Sequence, residues 1–280
     1  MKNKINERNK MEYVDLHTHT YHSDGYYSPS EVVELANKIG LKAIAMTDHD
    51  SVAGLLEGEA KAKELGLEFI KGVEISCLHE PLQKTVHVLG LFIKDVEKLS
   101  PVIDKVNALR DEANISDAKQ YNELFGLDIN ADDLKRCRFV HKIIVDKGYA
   151  SDYPSRRPMK EKVNHKKYGA SVKEAIECIH NAGGIAIMAH PSTLFLKDEE
   201  LFNLIKSFKE MGLDGLECIH VRHDLKKVPF YMDIANKLGL IISGGSDFHG
   251  KYKPDESFGK GKGETFLVPY EILENMKKRL

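Results

Sequence analysis

Asp15-Leu16-His17-Thr18-His19-Thr20 ends an apolar opening strand, expected over residues 11–16, with two histidines two positions apart. Successive side chains of a strand alternate faces, so His17 and His19 point the same way where the strand stops. Neutral imidazole is the commonest metal ligand, and a first-row ion takes its nitrogen at about 2.0–2.1 Å. Taken alone, His-x-His is more often two polar residues leaving a strand. What lies on either side decides between the two.

Working outward, strand and helix patterns alternate. Ser28-Pro29 is a helix start, with serine as N-cap and proline in the first turn, and Gly40 is its stop. A buried-looking strand over 41–46 runs into Thr47-Asp48-His49-Asp50, and a helix is expected over 52–65. A strand over 67–75 carries Gly72-Val73-Glu74, and one over 85–93 carries His87. Residues 95–167 are charged and helical in pattern, without apolar strand runs, and are expected to be an inserted helical subdomain. Its end, 152–167, holds Arg156, Arg157, Lys160 and Lys162 and is expected to be a loop. A helix over 172–181 and a strand over 185–189 ending in His190-Pro191 resume the rhythm. Next come a helix over 198–211, a strand over 214–219 that stops near His220 and His223, and a helix over 230–238. A strand over 240–243 leads to Ser246-Asp247-Phe248-His249, and a short strand over 265–268 and a helix from 269 end the chain.

Alternating units of this kind predict a parallel sheet with right-handed crossovers. About seven strands with polar residues at nearly every C-terminal end fit an α/β barrel, whose active-site face is built from those ends. The length of 280 residues suits one large barrel or two smaller domains. A net charge of −2 supplies no field for tracking long nucleic acid, so no stable complex with it is expected. The lysine- and asparagine-rich leader over 2–10 lacks the apolar core of a signal peptide, and no apolar run reaches membrane-span length. Cys77, Cys137, Cys178 and Cys218 are scattered, as expected for reduced thiols in a cytoplasmic protein.

His17, His19, Asp24, His49, Glu74, His87, His190, Asp247 and His249 converge at the strand ends. Nine nitrogen and oxygen donors are too many for one ion and enough for two or three. Imidazole with carboxylate and no thiolate suits manganese, zinc or iron, and spacing does not choose among them. Each donor has a mundane alternative: His87 a hydrogen-bonded core residue, Glu74 a lysine partner, Asp247 a helix cap. Their joint placement is what favours metal. Asp15 and Asp48 are expected to orient the imidazoles. His22, His79, His165 and His180 are expected on the surface.

His17-Thr-His19, Ser23-Asp24-Gly25, Thr47-Asp48-His49, Gly72-Val73-Glu74, Val86-His87, Ala189-His190-Pro191 and Ser246-Asp247-Phe248-His249, in this order, resemble the PHP (polymerase and histidinol phosphatase) family of phosphoesterases. The likeness covers roughly residues 12–95 and 168–270, and is greatest to the stand-alone branch acting on nucleotide and oligonucleotide phosphates. It implies a distorted (β/α)7 TIM-like barrel formed by 1–94 and 168–280, with 95–167 as an inserted helical cap. It also implies three metal sets: His17, His19, Glu74 and Asp247; Glu74 with His87 and His190; and Asp24, His49 and His249. Water activated by the metals would then attack phosphorus in line, and a small phosphorylated substrate, nucleotide or short oligonucleotide, is the expected partner. Arg136, Arg138 and His141 lie where similar proteins carry an Arg-x-His element, although the register differs, and would touch phosphate. His223, six residues after Glu217, matches a histidine placed near the substrate phosphate and is expected to act as an acid, with Arg222 beside it. The competing expectations are a phosphatase for a small metabolite such as histidinol phosphate, and a metal-binding module without catalysis.

Overall fold

The computed structural model describes residues 11–254, 258–259 and 267–280; the 2–10 leader and the first two residues of the expected 265–268 strand lie outside them. The strands are β1 (Tyr13–Asp15), β2 (Ala43–Met46), β3 (Glu68–His79), β4 (Lys84–Leu91), β5 (Ile185–Met188), β6 (Gly215–His220), β7 (Ile241–Gly245) and β8 (Val268–Pro269). The helices are α1 (Pro29–Lys38), α2 (Leu55–Leu65), α3 (Ser100–Phe125), α4 (Ala131–Arg136), α5 (Val140–Asp146), α6 (Arg157–Lys160), α7 (Val172–Asn181), α8 (Asp198–Glu210), α9 (Val228–Leu238) and α10 (Tyr270–Lys277). Local chemistry sets several starts. Ser28 and Ser171 cap α1 and α7 through full capping boxes with Glu31 and Glu174.

One eight-stranded sheet runs in the order β7-β6-β5-β4-β3-β2-β1-β8. It curls until β7 meets β1 again at their C-terminal ends: Leu16 N donates to Gly244 O at 3.3 Å, and Asp247 N donates to His17 O at 2.9 Å. A parallel bridge pairs Thr18 with Phe248 just beyond. The result is a nearly closed barrel. Alternation places Ala43 and Ala45 in a cluster with Leu89, Leu91, Ile187 and Ala189, while Ile44 and Met46 pack on Val32, Val33 and Leu55 of α1 and α2.

The expected all-parallel sheet needs correction. β4 is antiparallel to both β3 and β5, and β8 is antiparallel to β1. Only residues 80–83 join β3 to β4, and a parallel return needs a crossover of about a dozen residues or more. The 95–167 segment is helical, α3 to α6, and has its own apolar cluster around Tyr121, Ile129, Ile143 and Ile144. The 152–167 stretch, expected as loop, contains the single turn α6. No helix of the described residues is long and apolar enough to cross a membrane.

Candidate metal centre

The turn after β1, the ends of β2 and β7, the middle of β3 and β4, and the end of β5 bring all nine expected donors to one place. Glu74 is at the middle of them. Its Oε2 lies 3.1 Å from His17 Nε2, 3.2 Å from His19 Nε2 and 3.1 Å from His49 Nδ1. Its Oε1 lies 2.9 Å from both His87 Nδ1 and His190 Nε2. Asp247 Oδ1 is 3.1 Å from His19 Nε2. Asp24 Oδ1 is 3.0 Å from His249 Nε2 and 4.0 Å from His49 Nε2. Four-residue groupings able to share an ion are His17, His19, Glu74 and Asp247, and His19, Asp24, His49 and His249.

The contacts are short but are not all hydrogen bonds. His17 Nε2, His19 Nε2, His49 Nδ1, His249 Nε2, Glu74 Oε2 and Asp24 Oδ1 are buried without a hydrogen-bond partner. Buried polar atoms left unpaired in this way are rare and costly. Two of the rings are already committed through their other nitrogen: His17 Nδ1 donates to Glu217 Oε1 at 3.0 Å, and His249 Nδ1 donates to Asp247 O at 2.6 Å. Each therefore turns its Nε2 lone pair toward the carboxylates. Lone pairs from imidazole and carboxylate aimed at shared points are what divalent cations satisfy, so the residues fit metal.

Electrostatics agree. Burial opposes charge on Glu74, yet His49, His17 and His87 hold its carboxyl well below the ordinary range. Asp24 is likewise held low, against burial, by His249, His49 and His141. Burial also works against charge on His19, but the carboxylates of Asp247 and Glu74 beside its Nε2 raise its pKa to about 9. Burial, with His19 and His87 nearby, pushes His49 well down.

The backbone is strained where the donors sit. His190, Asp247 and Asp50, next to His49, have φ of +26°, +55° and +46°, a region that side chains with Cβ rarely occupy. A Cβ on Gly245 would lie 2.2 Å from His17 Cβ, so only glycine lets β7 close on β1 at the site.

The groups around the donors depart from expectation. Asp15 orients no imidazole; it accepts from the backbone N–H groups of His17 and Ser246, tying the ends of β1 and β7 together. Asp48 accepts from Thr20 N and from the hydroxyls of Thr20 and Ser23, shaping the turn that presents His19 and Asp24. Glu217 and His220 were overlooked. Glu217 holds the His17 ring through Oε1 and His190 N through Oε2 at 2.7 Å. His220 is buried, with its Nε2 4.0 Å from Asp247 Oδ2. A carboxylate inside the apolar run Leu216-Glu217-Cys218 was the available signal, because an acid is seldom fully buried unless paired.

His223, expected as an acid, leaves its Nε2 buried without a hydrogen-bond partner. It is buried against Tyr231, donates Nδ1–H to Cys218 O at 2.9 Å, and burial lowers its pKa. His141 contacts a donor: its Nε2 donates to Asp24 Oδ2 at 2.8 Å. Arg136 is tied to Asp133 of its own helix and Arg138 to Asp111, at one wall of a cavity that reaches His49. Arg222 lies 3.4 Å from Asp247 Oδ2, beside Lys253 at 2.9 Å, where a second cavity opens over His87 and His190. His165, expected on the surface, faces a third cavity, lined also by His87, Tyr121 and Arg156. The four cysteines are free thiols.

Known proteins are similar to this chain. A 5'-3' exoribonuclease of Haemophilus influenzae is 33% identical over 246 residues, covering 84% of this chain and 89% of the relative. A 3',5'-nucleoside bisphosphate phosphatase of Chromobacterium violaceum is 31% identical over 278 residues, covering 92% of this chain and 93% of the relative. A Bifidobacterium adolescentis protein described as a metal-dependent phosphoesterase superposes with a TM-score of 0.82 at 26% identity, over 96% of both chains. The PHP domain profile matches residues 15–220, from the end of β1 to the end of β6. With that match and these relatives, the chain belongs to the PHP domain family.

Proposed function

We propose that this protein is a metal-dependent phosphoesterase that hydrolyses phosphate monoesters of nucleotides: nucleoside monophosphates, 3',5'-bisphosphates or the 5' ends of short oligonucleotides. The observation that carries it is the group of buried nitrogen and oxygen atoms on His17, His19, His49, His249, Glu74 and Asp24 that face one another without hydrogen bonds. The two similar curated proteins, named for action on nucleotide phosphates, support the substrate class.

One ion would be held by His17, His19, Glu74 and Asp247, a second by Glu74, His87 and His190, and a third by Asp24, His49 and His249, in a cytoplasmic protein. Ions bound there lower the pKa of water and neutralise phosphoryl charge. The chain does the remainder. Glu74 touches donors of all three sets and so ties them together. Glu217 fixes the His17 ring and the His190 backbone at once. Arg222 and Lys253 stand at the cavity mouth, where their charge draws a phosphate toward Asp247 and His190. The 95–167 segment covers the Asp24 side and bounds the leaving group.

The test is manganese-dependent phosphate release from AMP, adenosine 3',5'-bisphosphate, a 5'-phosphorylated dinucleotide and histidinol phosphate, with elemental analysis of the same sample. Bound metal with fastest release from a nucleotide is expected. Metal with release only from histidinol phosphate would replace the substrate class, and no release from any of them would overturn the enzyme reading.

A further inference from the structure

Asp247 divides its two oxygens between two sets of neighbours. Oδ1 faces the donors, 3.1 Å from His19 Nε2 and 3.7 Å from His17 Nε2. Oδ2 lies 2.9 Å from Lys253 Nζ, 3.4 Å from Arg222 Nη2 and 4.0 Å from His220 Nε2. Lys253 and Arg222 also border the cavity mouth, where a phosphate would compete for them. The His220 side chain is fully buried and meets no such competition.

The fold delivers His220 to that oxygen. It ends β6 and pairs with Gly245 of β7, two residues before Asp247. Just past it the chain turns: His223 N donates to His220 O at 2.9 Å, and Arg222 N donates to His220 Nδ1 at 3.1 Å. A ring nitrogen that accepts a hydrogen bond carries no proton, so the proton of His220 sits on Nε2. That Nε2 is buried without a hydrogen-bond partner. Among the described residues, Asp247 Oδ2 is the one carboxylate oxygen within ion-pair reach of it. The other acceptor at hand is His223 Nε2, left bare because Nδ1 donates to Cys218 O. Its ring centroid is 5.3 Å from that of His220, and the two Nε2 atoms are not hydrogen bonded.

His17, Glu217 and His220 also lie close enough together to suggest an ion of their own. The protons argue against one. His17 Nδ1 already donates to Glu217 Oε1. His220 could offer a lone pair on Nε2 only by moving its proton to Nδ1, against the Arg222 N–H. What His220 has to give is an N–H, and a buried N–H without an acceptor is costly. A carboxylate is the strongest acceptor it could meet.

We propose that His220 is a positioning residue for Asp247 and not a metal ligand: in the loaded centre its Nε2–H closes on Oδ2 and keeps Oδ1 turned toward the metal donors. The inference rests on the metal-dependent reading above and deepens it.

The experiment is chelator competition for manganese on the full chain. The parent, His220→Gln and His220→Leu should bind the same number of ions at saturation. His220→Leu, without a donor, should hold one of them about 10–100-fold more weakly. His220→Gln keeps an N–H near the place of Nε2 and should restore most of that affinity. One ion fewer in both variants would make His220 a ligand and overturn the proposal. Equal weakening in both would assign the effect to packing, and no weakening in His220→Leu would leave the proton to His223; either result overturns it. Long-range nitrogen-15 spectra of the histidine rings, in metal-free and zinc-loaded protein, read the tautomer without any variant that has to fold. Nε2–H is expected in both states, with its proton moved downfield on loading. Nδ1–H in the loaded protein, or an Nε2 proton that loading leaves in place, overturns the proposal. Neither readout needs phosphate release. The expected pattern in a protein that hydrolyses none of the substrates keeps the positioning role and sinks the phosphoesterase assignment; turnover without the pattern does the reverse.

Discussion

Glu74 touches five imidazoles, those of His17, His19, His49, His87 and His190, which makes it the residue whose loss should be felt most widely. Glu74→Gln keeps the shape and removes the charge; bound manganese should fall, and turnover should drop by more than about 100-fold, beyond the usual cost of losing an outer partner. Glu217→Gln acts only through His17 and His190, so a loss of about 10–100-fold in metal affinity is expected, read by chelator competition. His19 ties the site to pH. Its pKa of about 9 means that it carries a proton at neutral pH in metal-free protein, and an ion must displace that proton. Manganese uptake at pH 7.5 should therefore release protons, seen as a buffer-dependent heat in calorimetry; identical heats in buffers of different ionisation enthalpy would contradict it. The stability sign follows from the same raised value. His19's contribution to metal-free protein is fully present below its ordinary pKa of 6.5 and is lost as pH rises through about 9, so melting temperature should fall across that window. The histidines and acids of the centre could be read from the sequence because strand periodicity fixes which residues share a face. The groups behind them could not, because Asp15 and Asp48 act through backbone and hydroxyl contacts that spacing does not encode.

At the scale of elements, the centre exists because β7 comes back to β1. Gly245→Ala would drive a methyl group into His17 and its backbone, and overpacking of this kind costs about 1–3 kcal/mol. Metal binding should suffer with it, since the displaced residue is a donor; a variant with unchanged manganese content and melting temperature would show the close approach to be dispensable. The alternation of strands and helices was legible, and the helix start at Ser28-Pro29 matched its capping chemistry. The parallel direction expected for every strand fails at β4, although the contrary signal was present. The expected strands ending at 75 and restarting at 85 leave too little chain for a parallel crossover, so β4 had to run against β3. The orientation of β4 also sets which side of the sheet receives His87, and the antiparallel hairpin still delivers it to Glu74.

For the molecule as a whole, the contacts of residues 95–167 with the strand ends are unevenly distributed over the donors. His141 donates to Asp24 Oδ2, Tyr153 OH donates to Asp24 O at 2.6 Å, and Lys142 Nζ donates to Gly25 O at 2.8 Å. Arg110 of α3, almost fully buried, pairs with Asp50 next to His49, takes Tyr168 OH and Asn107 Oδ1 as acceptors, and lies over the Phe139 ring. These contacts bear on Asp24 and His49, whereas His17, Glu74 and Asp247 are placed by the barrel and the segment after β7. None of this was legible in sequence, because an arginine 60 residues after Asp50 carries no local sign of what it will meet. Two consequences follow. Arg110→Met leaves Asp50 as an unpaired buried charge, which should cost about 3–5 kcal/mol in urea unfolding. Tyr153→Phe removes one hydroxyl bond to the Asp24 backbone, so the protein should stay folded while its grip on one ion loosens. With three ions bound as proposed, titration of Tyr153→Phe with a chelator should release one equivalent earlier than in the parent and the remainder in parallel with it. Release of all the metal in one shifted step would mean that the insertion supports the centre as a unit, and unshifted release would mean that it does not support the Asp24 set at all.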